Sequence, residues 1–131
     1  MNTDLPQLNT LGALMRFVIS LETETVDRYT EWATVKNAPV LFSELANEHR
    51  LRVERLTRLL REQLNEMILE PISGFSAADY TGPTSSATDL ERRLAQLYTD
   101  IVAHAGHIFP GANRILTRFA ERSRCIYQTN E

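Results

Sequence analysis

One long irregular stretch sets the organisation of this chain. Residues 71–88, PISGFSAADYTGPTSSAT, combine two prolines, two glycines and a cluster of serines and threonines, and they divide the sequence into two halves. Each half carries helical periodicity interrupted once, at Asn37-Ala38-Pro39 and at Phe109-Pro110-Gly111, where a proline suits the first turn of a new helix. The pattern predicts an all-α chain with helices near 8–36, 39–69, 88–108 and 111–128. Two short hinges and one long connection describe a four-helix bundle, a single domain over 1–131, with residues 71–88 as a crossover along the outside between its second and third helices. No strand-like alternation competes.

Composition narrows the classes. With 131 residues, five glycines, one cysteine and a net charge of −3, the chain is neither collagen-like, nor a disulfide framework, nor strongly disordered. The mildly acidic balance makes nucleic acid an unexpected partner. Lys36 is the single lysine among 14 basic Lys and Arg side chains, and the arginines alternate with glutamates along surface-like stripes rather than forming evident anion forks. Cys125 alone excludes an intrachain disulfide and suits a reducing compartment. The opening MNTDLPQLNT has an acid and no basic leader region, and no apolar run reaches membrane-spanning length, so a soluble cytoplasmic protein without a membrane partner is expected. Phosphate loops, nucleophile elbows, CxxC pairs and HExxH are absent, and no base accompanies a candidate nucleophile, so no catalytic residue is assigned.

Projection at about 100° per residue separates the faces. On the first helix Leu11, Met15, Val18, Val26, Tyr29 and Ala33 share a side, with Glu22 among them. On the second, Phe42, Leu45, Val53, Leu56, Leu60 and Met67 form the stripe, with His49 at its centre and Arg52 at its edge. The third buries Leu90, Leu94, Leu97, Ile101, Ala105 and Ile108, leaving Glu91 and Tyr98 on one flank and His104 on the other. On the fourth, Ala112, Ile115, Leu116, Phe119 and Ile126 point inward with Ser123, and Arg122 flanks them.

A carboxylate inside a bundle must be paired, protonated or bound to a cation. Glu22 is therefore either a metal ligand or the partner of His49 or Arg52. His49 could be a ligand, a proton shuttle or a hydrogen-bonded core histidine. Glu91 has a local explanation, because Thr88-Asp89-Leu90-Glu91 reads as a capping box in which Glu91 bonds the Thr88 amide. His104 and His107 stand at a spacing that could share zinc, but no carboxylate or thiolate accompanies them and His107 points away from the core.

The segment ETETVDRYTEWA of the first helix resembles rubrerythrin-type members of the ferritin-like superfamily, where a ligand glutamate precedes a tyrosine by seven positions, as Glu22 precedes Tyr29. FSELANEH resembles the family's Phe-x-x-x-Ala approach to a Glu-x-x-His ligand pair, which places the ligand positions on His49 and Arg52. Glu91 with Tyr98 and then Phe119 repeat the pattern, with expected ligand positions at Ile126 and Thr129. The resemblance implies a ferritin-like bundle, self-association into a dimer or larger assembly, and a family chemistry of two irons used for oxidation or peroxide reduction. Glu22 and Glu91 match, His49 exchanges one ligand type for another, and Arg52, Ile126 and Thr129 cannot replace ligands in kind.

Two expectations follow. In the first, the di-metal site has decayed into a core polar pairing of Glu22, His49 and Arg52, no cofactor is held, and the chain is a non-catalytic accessory, assembly or scaffold protein. In the second, Glu22, His49 and Glu91 hold iron or another divalent metal in an oxidoreductase or iron-handling protein. First helices near 30 residues would span about 45 Å, so Leu64, Met67 and Ile68 at the far end are expected to be covered by the crossover or another subunit.

Overall fold

The computed structural model describes residues 5–63 and 68–129. Among these, four α-helices form an all-α bundle: α1 (Leu11–Val35), α2 (Pro39–Gln63), α3 (Ala87–Ala105) and α4 (Asn113–Thr129). α1 packs chiefly against α2, and α3 against α4. No helix of the described residues is long and apolar enough to cross a membrane.

The ends of the elements have local causes. α1 begins at Leu11 rather than near residue 8 because the Thr10 side chain caps it, accepting from the Ala13 amide at 3.1 Å. The residues before it are extended: Ile72 N–H donates to Asn9 at 3.1 Å, and the Leu11 and Gly12 amides donate to Glu70 and Ile68 at 2.9 and 2.8 Å. Gly12 is required there, since a Cβ would stand 2.2 Å from Ile68 Cγ1 and 2.7 Å from its carbonyl oxygen. The α1–α2 hinge turns at Asn37, whose φ of 52° is left-handed, and Pro39 opens α2 as its proline suggested. Of the far-end residues Leu64, Met67 and Ile68, the first two lie outside the described residues, and Ile68 is half-buried against the start of α1.

The crossover is more than an outside strap. Its 3-10 turn at Ala77–Tyr80 buries Ala77 and Tyr80 against the core, and the Tyr80 hydroxyl donates to Asp100 of α3 at 2.6 Å. α3 ends at Ala105, three residues short of the predicted boundary, and a 3-10 turn at Pro110–Ala112 leads into α4.

The interior is layered along the helices. A larger apolar cluster gathers Leu14, Val18, Leu56, Leu97, Ile101 and Leu116 with their neighbours. A smaller, aromatic one at the other end holds Tyr29, Trp32, Phe42, Leu45, Leu90 and Ile126. Along each of the first three helices the charged interior residues fall between or beside these clusters, as Glu22 does between Val18 and Tyr29.

Candidate functional site

Four charged side chains are buried among the described residues: Glu22, His49, Arg52 and Glu91, joined by Ser123 and Thr25 as buried polar neighbours. α1 supplies Glu22, α2 supplies His49 and Arg52 one turn apart, α3 supplies Glu91, and α4 supplies Ser123. They meet because each lies on its helix's apolar stripe, so the packing that buries leucines buries them as well.

His49 is the bridge. Its Nδ1 bonds Glu22 Oε1 on one side, and its Nε2 lies 2.6 Å from Glu91 Oε2 on the other. Ionised carboxylates only accept, so an imidazolium donating from both nitrogens satisfies both contacts. Arg52 Nη1 donates to Glu22 Oε2 at 3.3 Å and to Ser123 Oγ at 2.8 Å, while Nη2 reaches Glu48 Oε2 at 3.3 Å. Glu48 is held in turn by Arg122 Nε, 2.9 Å from both of its oxygens.

Two tyrosines complete the network by crossing between the halves of the chain. Tyr29 of α1 donates to Glu91 Oε2 of α3 at 2.6 Å, and Tyr98 of α3 donates to Glu22 Oε2 of α1. Each tyrosine thus serves the glutamate of the other half. Both rings pack on aromatic neighbours, Tyr29 on Trp32 and Phe42, and Tyr98 on Phe119.

The electrostatics follow from this geometry. Burial pushes the Glu22 carboxyl up, but the charge and hydrogen bond of His49, the Arg52 guanidinium and the Tyr98 hydroxyl outweigh it and hold the group below the usual carboxylate value. Burial likewise raises Glu91, and the hydrogen bond and charge of His49, with Arg52 and Tyr29, bring it down. For His49, burial disfavours the cation, yet Glu22 and Glu91 lift its pKa to about 9. Tyr29 and Tyr98 are both raised, by burial first and then by the neighbouring carboxylates, so they remain donors at neutral pH. Two anions and two cations therefore neutralise one another inside the bundle.

The donor set leaves little for a metal. Glu22 Oε1 and Oε2 and Glu91 Oε2 all accept hydrogen bonds, and both nitrogens of His49 face carboxylates, so no imidazole lone pair is directed at a common point. Glu91 Oε1 is the carboxylate oxygen left buried without a partner. No group of three His, Cys, Asp or Glu side chains among the described residues is arranged to hold a metal ion. Of the remaining ligand positions, Ile126 is a buried apolar residue of the aromatic cluster and Thr129 is the last described residue of α4. His104 and His107 are both exposed, His104 lying against the edge of Phe75.

No family model, curated protein or solved structure matches the chain.

The geometry corrects one expectation and extends two others. Glu91 is not a capping residue: the side chain of Ser86 accepts from the Asp89 amide at 3.1 Å and starts α3 at Ala87, so Glu91 stands a full turn inside the helix with its side chain in the core. Arg52, placed at the stripe's edge by projection, is 2% exposed and belongs to the interior. The tyrosines were visible as spacing, seven residues after each glutamate, but their exchange of partners between halves depends on how the helices assemble.

Proposed function

We propose that this chain is a ferritin-like bundle of the rubrerythrin type in which a former di-metal site has become a self-neutralised polar core, and that it acts as a non-catalytic accessory, assembly or scaffold protein through self-association. The observation that carries this reading is the double bridge of His49 between Glu22 and Glu91 with Arg52 on the other oxygen of Glu22. A guanidinium and an imidazolium supply the positive charge that two carboxylates need. The exchange of Tyr29 and Tyr98 between halves supports the internal duplication on which the resemblance rests. Under this reading the chain carries no cofactor, and no reaction step is assigned to its residues.

One observation favours the second reading, an iron-binding oxidoreductase or iron-handling protein. Glu91 Oε1 is buried without a hydrogen bond, a carboxylate oxygen with lone pairs still to give. Iron or another divalent metal held by Glu22, His49 and Glu91 would require His49 to give up one carboxylate contact and Arg52 to withdraw from Glu22.

Metal analysis of protein purified without added metal separates the two. The expected result is no stoichiometric metal, no loss of thermal stability on chelation, and a Glu22→Gln variant that is destabilised with unchanged metal content. Stoichiometric iron lost in both Glu22→Gln and His49→Ala, with a chelator-sensitive parent, would overturn the structural reading.

A further inference from the structure

Glu48 closes one stretch of the seam between α2 and α4. It accepts from Arg52 Nη2 of its own helix at 3.3 Å and from Arg122 Nε of α4 at 2.9 Å, so its charge is neutralised within the chain. Beyond it the seam opens into a groove of about 470 Å³ where that pattern breaks. Arg55 and Arg58 of α2 and Arg118 of α4 line the groove, all three exposed. Among the described residues none of them takes part in an ion pair or a side-chain hydrogen bond.

Five arginines and two glutamates line this groove, an excess of three positive charges in a chain whose net charge is −3. With Glu48 already held, Glu54 is the remaining acid, and it bridges none of the three free arginines. Glu121, the one acid of α4, is not part of the lining. Arginines from two helices share the groove only because those helices pack together, which is why the cluster is not evident along the sequence. Like charges brought together in a cleft repel one another, and the low-dielectric walls focus their potential. The acceptor that Glu48 supplies in the neighbouring stretch is missing here from the chain itself.

We propose that this groove binds a small phosphate monoester carrying an apolar group. Such a group brings three acceptor oxygens and a charge of about −1.5 to −2, which suits several guanidinium forks better than the single charge of a carboxylate does. Leu51, 56% exposed, and the half-buried ring of Phe119 lie among the arginines and offer an apolar surface to the rest of the molecule. The volume falls within the range of about 300–1,000 Å³ usual for small-ligand sites. The free arginines make no hydrogen bond or ion pair with Glu22, His49 or Glu91, so the site does not depend on how the polar core is read.

Isothermal titration calorimetry of the full chain at low salt, with phenyl phosphate as the probe, tests the assignment. One molecule is expected to bind per chain, and inorganic phosphate, which lacks the ring, should bind about tenfold more weakly. Arg58→Ala and Arg118→Ala, both at positions open to water, should each weaken phenyl phosphate about tenfold or more with unchanged helicity by circular dichroism. Arg16→Ala removes the same charge from an exposed position of α1 outside the groove and should leave binding as it is. No binding of phenyl phosphate would overturn the proposal. An equal loss in Arg16→Ala would overturn it by reducing the effect to net charge, and equal binding of inorganic phosphate would do so by leaving the apolar surface without a role. Co-sedimentation with phosphatidylcholine vesicles containing phosphatidic acid, without binding of the soluble ester, would overturn it in favour of a membrane surface.

Discussion

Leu97 and Tyr98 are neighbours in α3 and both are fully buried, yet they enter surroundings governed by different rules. Leu97 joins the larger apolar cluster with Leu14, Ile101 and Leu116, where stability comes from area removed from water and from close packing. Such contacts are non-directional, so another side chain of similar volume can take its place. The Tyr98 ring packs the same way on Phe119, but its hydroxyl is fixed on Glu22 and shares that oxygen with Arg52. In the polar layer each group is stable only because its partners are present. The apolar layer therefore degrades gradually under substitution, whereas the polar layer depends on its hub.

The sharpest break of this comparison is His49→Ala. It removes the side chain that joins Glu22 to Glu91 and leaves two buried carboxylates with Arg52 as the remaining cation of the quartet. Breaking one side of a buried ion pair costs about 3–5 kcal/mol, and urea denaturation of the variant should show a loss in that range. A loss below about 1 kcal/mol would mean that the carboxylates find other partners and that the layer is not organised around His49.

Next in size is the pH dependence. His49 binds its proton more tightly in the folded chain, with a pKa of about 9, than in the unfolded chain, near 6.5. Its contribution is therefore complete below about pH 6.5 and is lost as pH rises through about 9. Glu22 and Glu91 act oppositely: their folded values are lowered, so their contributions are present above the ordinary carboxylate range and are lost on acidification. Stability measured by urea at a series of pH values should be highest in mildly acidic solution and should fall by a few kcal/mol toward pH 9. His49→Ala should lack the alkaline fall, and its persistence there would assign the effect to another group.

The same division explains what could be read from the sequence. The four helices and their apolar faces were legible because periodicity is a local property, and the stripe positions of Leu11, Met15, Val18, Leu56, Leu97 and Leu116 are all buried. Glu22 and His49 were legible as interior residues for the same reason. Glu91 is ambiguous in the sequence because two explanations, one local and one tertiary, are open to a glutamate near a helix start. A capping contact is worth about 1 kcal/mol, Ser86 already supplies one a turn earlier, and the side chain gains more by meeting His49 and Tyr29. Arg52 falls at an edge in projection because projection treats a helix alone, whereas α4 closes over it with Ser123 and Phe119. Network partners set by distant residues, 62 positions apart for Tyr29 and Glu91, are not encoded in any local pattern.

The smallest effect gives the finest test, because it compares two adjacent residues of one helix. Tyr98→Phe keeps the ring on Phe119 and removes only the hydroxyl that donates to Glu22, while Leu97→Met keeps volume and apolarity. Both changes are expected to cost about 1 kcal/mol near neutral pH, the first through a lost hydrogen bond to a charged group and the second through imperfect packing. They should separate on acidification. The Tyr98 hydroxyl helps to lower the Glu22 carboxyl, so its removal lets the folded value rise toward the unfolded one. The destabilisation by Tyr98→Phe should accordingly be largest where Glu22 is ionised and should shrink as protonation makes the lost donor irrelevant, while that of Leu97→Met stays level. Parallel denaturation of both variants between neutral and acidic pH reads the difference directly. Equal and pH-independent losses would mean that Tyr98 contributes only its ring, and that the polar layer around Glu22 is no more directional than the apolar layer beside it.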